Sequence, residues 1–443
     1  MATGRAAAGP WSSTTVIAWG VWNAGAAAYH AVILTFVFSV YLTSAVGRDL
    51  PGPISADAWL GYAMSVAGLV VAVLAPVTGQ RADVAGRRKR ATLVWTALTV
   101  ASMAALCTIR QDWHWLALGL VLLGLGSVFA ELASVSYNAM LCQIATPATM
   151  GRVSGFGWSM GFVGGIVLLP VVYVGLIAGD GGLVGAPTAD GFNIRLVALV
   201  AAVWFAVLAV PLFVTVPEMP PAADAGDRPG VSTSYRQLGR DLRELYSVNR
   251  PALWFLGASA LYRDGLAAIA TFTAVLAVKV YGVDAAHVLL YGVAANVVAA
   301  AGALAGGVLE DRVGSKTVIV GSLLGLLLSG VVLLFVSGPA MFWILGLMAA
   351  VFLGPTHSSS RTFLARLAPA GRIGQLFGLY ATTGRAATFL GPLLFGLFIA
   401  LSGEQRAGIV GILLLLLAGL LALLPVPASP PGGSRQPVAR SHP

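Results

Sequence analysis

Charge is scarce in this sequence. Asp, Glu, Lys and Arg together supply 10% of 443 residues, against about a quarter in soluble domains, which excludes a water-soluble globular protein. Histidine occurs only at His30, His114, His287, His357 and His442, without ligand spacing and without a clustered nucleophile beside it. No metal site, no cofactor and no enzyme activity is therefore expected. No G-x-x-x-x-G-K-S/T stretch is present, which removes a built-in ATPase and leaves an ion gradient or the substrate's own gradient as energy source. The two cysteines, Cys107 and Cys142, fall near opposite ends of adjacent apolar runs, too far apart to bridge. The first residues show no short apolar core with a small-residue cleavage site, so no signal peptide is expected. The net charge of +9 would suit a nucleic-acid partner, but the basic residues sit in short connections between apolar runs, and no nucleic acid is expected.

Apolar residues are abundant instead, at 58% with 54 glycines and a mean hydropathy of +0.87. Apolar runs at roughly 16–44, 58–78, 91–109, 115–141, 154–178 and 194–216, then 252–280, 286–308, 317–337, 340–365, 374–401 and 407–425, predict twelve membrane-spanning helices. With both termini in the cytoplasm, eighteen Lys and Arg lie inside and five outside, the others falling within spans. That asymmetry predicts a multi-pass protein of the cell membrane whose basic loops face an anionic inner leaflet. The sequence divides into a six-helix half at 1–216, a linker at 217–251, a second half at 252–425 and a tail at 426–443. In the linker Tyr235, Leu238, Leu242 and Leu245, interleaved with Arg236, Arg240 and Arg243, predict an interfacial helix. The tail is rich in Pro, Gly, Ser and Arg and is read as disordered.

The halves repeat one another. Gly79, Asp83 and Gly86 after the second run recur as Gly307, Asp311 and Gly314 after the eighth, each 228 positions on. Arg152, Gly155 and Gly157 are echoed loosely by Arg372, Gly374 and Gly378. Parallel six-helix repeats meeting at a central site are a transporter architecture. Gly157-x-x-x-Gly161-x-x-x-Gly165 and Gly302-x-x-x-Gly306 predict close helix contacts, and Pro355 and Pro392 are possible hinges.

The G-x-x-x-D-x-x-G-R/K pattern resembles the signature loop of the major facilitator superfamily. The stretches Ala31 to Phe38, Tyr137 to Ala139, Arg152 to Gly155 and Gly384 to Pro392 are similar to its vacuole effluxer branch, named for fungal proteins that release amino acids from the vacuole. The chain departs from the branch pattern at Asn23, His30 and His357. The resemblance implies an all-α fold of two six-helix repeats and a cytoplasmic latch between them. The latch comprises Gly79, Asp83, Gly86 and Arg87, with a weaker copy at Gly307, Asp311 and Gly314 because Ser315 replaces the first arginine. In the resembled fold helices 5 and 8 meet, which makes their glycines a sliding seam.

Polar groups inside a bilayer are costly and tend to face a cavity or a partner. Helices 3, 6, 9 and 12 hold no ionisable interior residue, whereas Asn23 and His30 lie in helix 1, Glu131 in helix 4, Arg263 and Asp264 in helix 7, His357 and Arg361 in helix 10 and Arg385 in helix 11. Arg361, close to a helix end, is expected to snorkel. Arg263 and Arg385 suit a carboxylate, while Glu131 and Asp264 suit an ammonium or a proton. Being adjacent, Arg263 and Asp264 cannot both face one spot, so one pairs with a neighbouring helix. Helix depth places Glu131 opposite Arg385, predicting an ion pair across the halves. The expectation is a secondary transporter of a small zwitterion such as an amino acid, with proton coupling. The alternatives are proton-linked drug efflux, disfavoured by the arginines, and a channel or sensor.

Overall fold

In lipid every backbone polar group must be satisfied internally, so a long apolar run becomes a helix. The computed structural model describes residues 13–218, 249–369 and 372–428, and among them there are only helices, turns and irregular connections. Twelve helices are long and apolar enough to span: α1 Ser13–Val46, α2 Ala56–Val84, α3 Arg88–Thr108, α4 Trp113–Ile144, α5 Met150–Ile177, α6 Ala189–Thr215, α7 Arg250–Lys279, α8 Leu290–Val313, α9 Ser315–Phe335, α10 Pro339–Leu367, α11 Ile373–Ser402 and α12 Gln405–Leu423. The interfacial helix expected in the linker and nearly all of the tail lie outside the described residues. Both cysteines are free thiols.

Local chemistry sets the helix ends and breaks. Ser55 caps α2, its hydroxyl accepting from Ala58 N at 3.3 Å. Gly86 closes the α2–α3 turn at φ +61, a conformation a Cβ would strain. Inside α1 the α-helix gives way to π-helical turns over Ala28–Phe36 and Leu42–Val46, an irregularity common where helices carry function. Of the two candidate hinges, Pro355 lies inside an unbroken α10. Pro392 follows a real break, because α11 stops at Ala387 and resumes at Leu390.

The connections after α2, α4, α8 and α10 share one end of the bundle with both Gly-Asp-Gly motifs, here termed the motif end. Among the described residues, four helix pairs carry most of the packing between the first six spans and the last six: α2 with α11, α5 with α8, α5 with α10 and α4 with α11. Advancing each helix by six turns the first pair into the second and the third into the fourth, so the packing repeats as the sequence does. Spans α3, α6, α9 and α12 instead present apolar side chains outward, among them Val94, Val207, Leu328 and Leu421, as lipid-facing helices do.

Backbone approaches define the seams. A Cβ on Gly79 would strike the carbonyl of Gly374, one on Gly378 that of Ala75, one on Gly307 that of Gly151, and one on Gly155 that of Ala303. The equivalent pairs are thus Gly151 with Gly374 and Gly155 with Gly378, which corrects the register suggested by Arg152 and Arg372. The small-residue stripes are corrected too. Gly157, Gly161 and Gly165 face Trp19, Asn23 and Ala31 of α1, and Gly302 and Gly306 face Val351 and Pro355 of α10. They pack each set of six internally, because their side of α5 or α8 looks toward its own neighbours.

Candidate functional site

At the motif end each Gly-Asp-Gly aspartate caps a helix of the other set. Asp83 accepts from Gly374 N at 2.6 Å and Gln375 N at 3.1 Å, in the first turn of α11. Asp311 accepts from Gly151 N at 2.8 Å and Arg152 N at 3.2 Å, in the first turn of α5. A carboxylate at a helix N-terminus satisfies orphan donors and meets the positive end of the dipole.

The cations beside these aspartates differ from expectation. Asp83 pairs with buried Arg88, Nη2 to Oδ1 at 2.6 Å, while Arg87 is exposed. Arg87 precedes the first turn of α3, whereas Arg88 enters the helix and turns inward, which corrects the assignment to Arg87. At the second copy the loss of an arginine to Ser315 does not leave Asp311 without a cation. Arg152 of α5 supplies it across the seam, Nε to Oδ2 at 2.8 Å. Gly86 and Gly314 shape the turns at φ +61 and +88.

One helix turn deeper, Arg361 is buried rather than snorkelling. Its guanidinium donates to Ser154 Oγ at 3.0 Å, Ser154 O at 2.6 Å and Asn138 Oδ1 at 3.1 Å, and lies 4.7 Å from the Trp19 ring centre. Ser154 in turn donates to Ser358 O at 2.8 Å. The acceptors all lie in the first six spans, and so hold Arg361 away from the membrane surface. Beside it Glu310 of α8, also buried, accepts from Ser315 at 2.7 Å, Ser359 at 2.8 Å and Thr362, with Arg366 at 3.5 Å.

At mid-depth the expected ion pair is present. Arg385 Nη2 lies 2.6 Å from Glu131 Oε1, with side chains 23% and 26% exposed. Both are about 18–20 Å from the motif end at 1.5 Å per residue. His30 is exposed and within electrostatic reach of both charges. His357, partly buried, stacks on Trp158 of α5 at 4.6 Å between ring centres, a cross-set contact. Trp158 carried no sequence signal, since a tryptophan in an apolar run reads as packing.

Arg263 and Asp264 do diverge. Arg263 donates to Tyr380 O at 2.9 Å and lies 3.7 Å from that residue's ring centre. Asp264 is buried and accepts from Gly391 N at 2.6 Å, capping the resumed part of α11. Its expected place beside an open cavity is corrected: the break in α11 leaves donors that its carboxylate fills. Asn23 donates to Gly157 O at 2.6 Å and ties α1 to α5.

The seams end near this layer. A Cβ on Gly68 would reach only Arg385, at 3.9 Å, and one on Gly61 nothing within 4 Å. On the other seam Gly292, on the face of α8 that carries Ala303, likewise faces open space. The two sets of helices are therefore joined from the motif end to mid-depth and part toward the opposite end, with Glu131, Arg385 and His30 where the contact stops.

Twelve spans in two repeating sets, zipped at one end over a charged mid-membrane layer, define a transporter of the major facilitator type. The chain belongs to the family described as vacuole effluxer Atg22 like, which matches residues 44–430. It is 25% identical over 409 residues to the uncharacterized MFS-type transporter YxiO of Bacillus subtilis (strain 168), covering 92% of this chain and 94% of that one. Autophagy-related protein 22 of Cryptococcus neoformans var. neoformans serotype D (strain B-3501A) is 24% identical over 320 residues, 68% of this chain but 57% of the fungal protein. The chain thus matches little more than half of that relative. Among solved structures the proton:xylose symporter XylE shares the fold, with a TM-score of 0.72 at 13% identity over 94% of this chain and 96% of that one.

Proposed function

We propose that the protein moves an amino acid or similar small zwitterion across the cell membrane by alternating access, coupled to protons through Glu131. The motif end faces the cytoplasm in this reading, so the arrangement described is outward-open. Residues 1–216 and 252–425 are the units that move, joined by 217–251. The observation that carries the reading is the Glu131–Arg385 pair, a quarter exposed where the seams end. A zwitterion exchanges with such a pair like for like: its carboxylate takes Arg385 and its ammonium takes Glu131. Binding then removes a link between the halves and favours opening at the motif end, which is the differential interaction that a ligand-driven change requires. A proton on Glu131 breaks the same link. The resemblance to the vacuole effluxer branch, named for fungal proteins that release amino acids, supports an amino acid, and the proton:xylose symporter that shares the fold supports a proton.

The test is uptake into proteoliposomes of labelled mixed amino acids under an imposed pH gradient. Uptake above the empty-liposome background, stimulated by the gradient and lost in Glu131→Gln, is expected. No movement in either direction overturns the zwitterion; uptake indifferent to the gradient and unchanged in Glu131→Gln overturns proton coupling alone.

A further inference from the structure

Arg361 is a buried cation whose hydrogen-bond partners are all neutral. It is 4% exposed, and among the described residues no carboxylate lies within 4.0 Å of it. Glu310, the buried acid of the adjacent α8, is occupied by Arg366 and three hydroxyls. An unpaired buried charge is costly, and an interface bolt alone does not require one, since a neutral amide can donate to the same oxygens. Every hydrogen-bond acceptor of Arg361 belongs to α4 or α5, across the seam. Opening the motif end separates α10 from those helices and strips the guanidinium of its acceptors while admitting water. A second donor waits nearby, because the indole Nε1 of Trp158 is buried without an acceptor, and the ring centre lies 6.0 Å from Arg361.

We infer that Arg361 is the carboxylate-binding residue of the motif-open conformation, receiving the anionic group that Arg385 holds while the opposite end is open. This rests on the zwitterion reading. The two arginines lie at successive depths, about 9 Å and about 18 Å from the motif end, so one carboxylate passes inward from fork to fork as the halves rock. The motif-closed conformation thus offers Arg385 to the substrate and spends Arg361 as an interhalf contact, and the motif-open conformation offers Arg361. Arg385 pairs with Glu131 when unliganded, and Arg361 is covered by Ser154 and Asn138 when the motif end is shut.

The experiment compares Arg361→Gln and Arg361→Lys with the double variant Asn138→Ala, Ser154→Ala, which loosens the same seam but keeps the guanidinium. Proteoliposomes of both orientations are supplied with an equimolar mixture of the twenty labelled amino acids, and the half-saturating concentration is read from each side. From the motif side Arg361→Gln is expected to raise it by about tenfold or more, as loss of a charge-assisted contact does. Arg361→Lys should give a smaller increase, and the double variant less than about twofold. From the opposite side Arg361→Gln and the double variant should match, both reporting only the loosened seam. An equal motif-side value for Arg361→Gln and the double variant overturns the inference and leaves Arg361 a bolt. Should Arg361→Gln fail to insert, a motif-side value for Arg361→Lys equal to wild type overturns it equally. A wild-type protein that moves none of the twenty from either side overturns the zwitterion reading itself, and this inference with it.

Discussion

Asp83→Asn is expected to reduce the population closed at the motif end about tenfold relative to the open one. The carboxylate accepts two backbone N–H groups of α11, and a charge at a helix N-terminus with such bonds contributes about 1–2 kcal/mol. Asparagine keeps one acceptor and loses the charge. Pulsed electron spin resonance between labels at exposed Arg90 and Arg312, in a background without Cys107 and Cys142, measures the shift as a longer distance. Arg88→Gln separates two effects, because Arg88 and Asp83 lie in the same half and their pair travels with it. That variant should lower stability far more than it moves the distance, and Arg87→Gln should change neither. Unchanged distances in Asp83→Asn would remove the cap from the gating account.

Glu131→Gln and Arg385→Gln should each reduce amino-acid uptake at least tenfold. The pair is a quarter exposed, so its screened contribution to closure is about 1–2 kcal/mol rather than the several of a fully buried pair. The larger loss comes from the substrate, which keeps one charged partner instead of two. The charge-swapped double variant Glu131→Arg, Arg385→Glu restores the link but reverses the site. It should recover closed-state distances while recovering only part of the uptake. Full additivity of the two single losses, with all variants inserted normally, would mean that the residues act separately.

This pair is legible in the sequence because depth along a helix is arithmetic: 1.5 Å per residue sets both groups at one level. The twelve spans and the 228-residue repeat were legible for a similar reason, since lipid imposes length and a duplicated motif keeps its spacing. The partners of Asp83 across the seam are not legible. They are backbone N–H groups, which every residue but proline possesses, so no side chain at Gly374 or Gln375 announces them. Arg87 and Arg88 are equivalent in sequence, and only the start of α3 decides which one turns inward. Snorkelling was the natural expectation for Arg361, because its acceptors lie more than two hundred residues away. Asp264 was misplaced because the break in α11 that leaves Gly391 N needing an acceptor depends on packing, while Pro392 marks only its neighbourhood.

Alternating access is the central claim, and paired distances at both ends test it most directly. One label pair on Arg90 and Arg312 reports the motif end; a second, on exposed Trp59 of α2 and Leu290 of α8, reports the opposite end. On adding the amino-acid mixture, the population with a long motif-end distance and a short opposite-end distance should grow at the expense of its converse. A population long at both ends at once, or distances indifferent to every amino acid while uptake proceeds, would contradict the account.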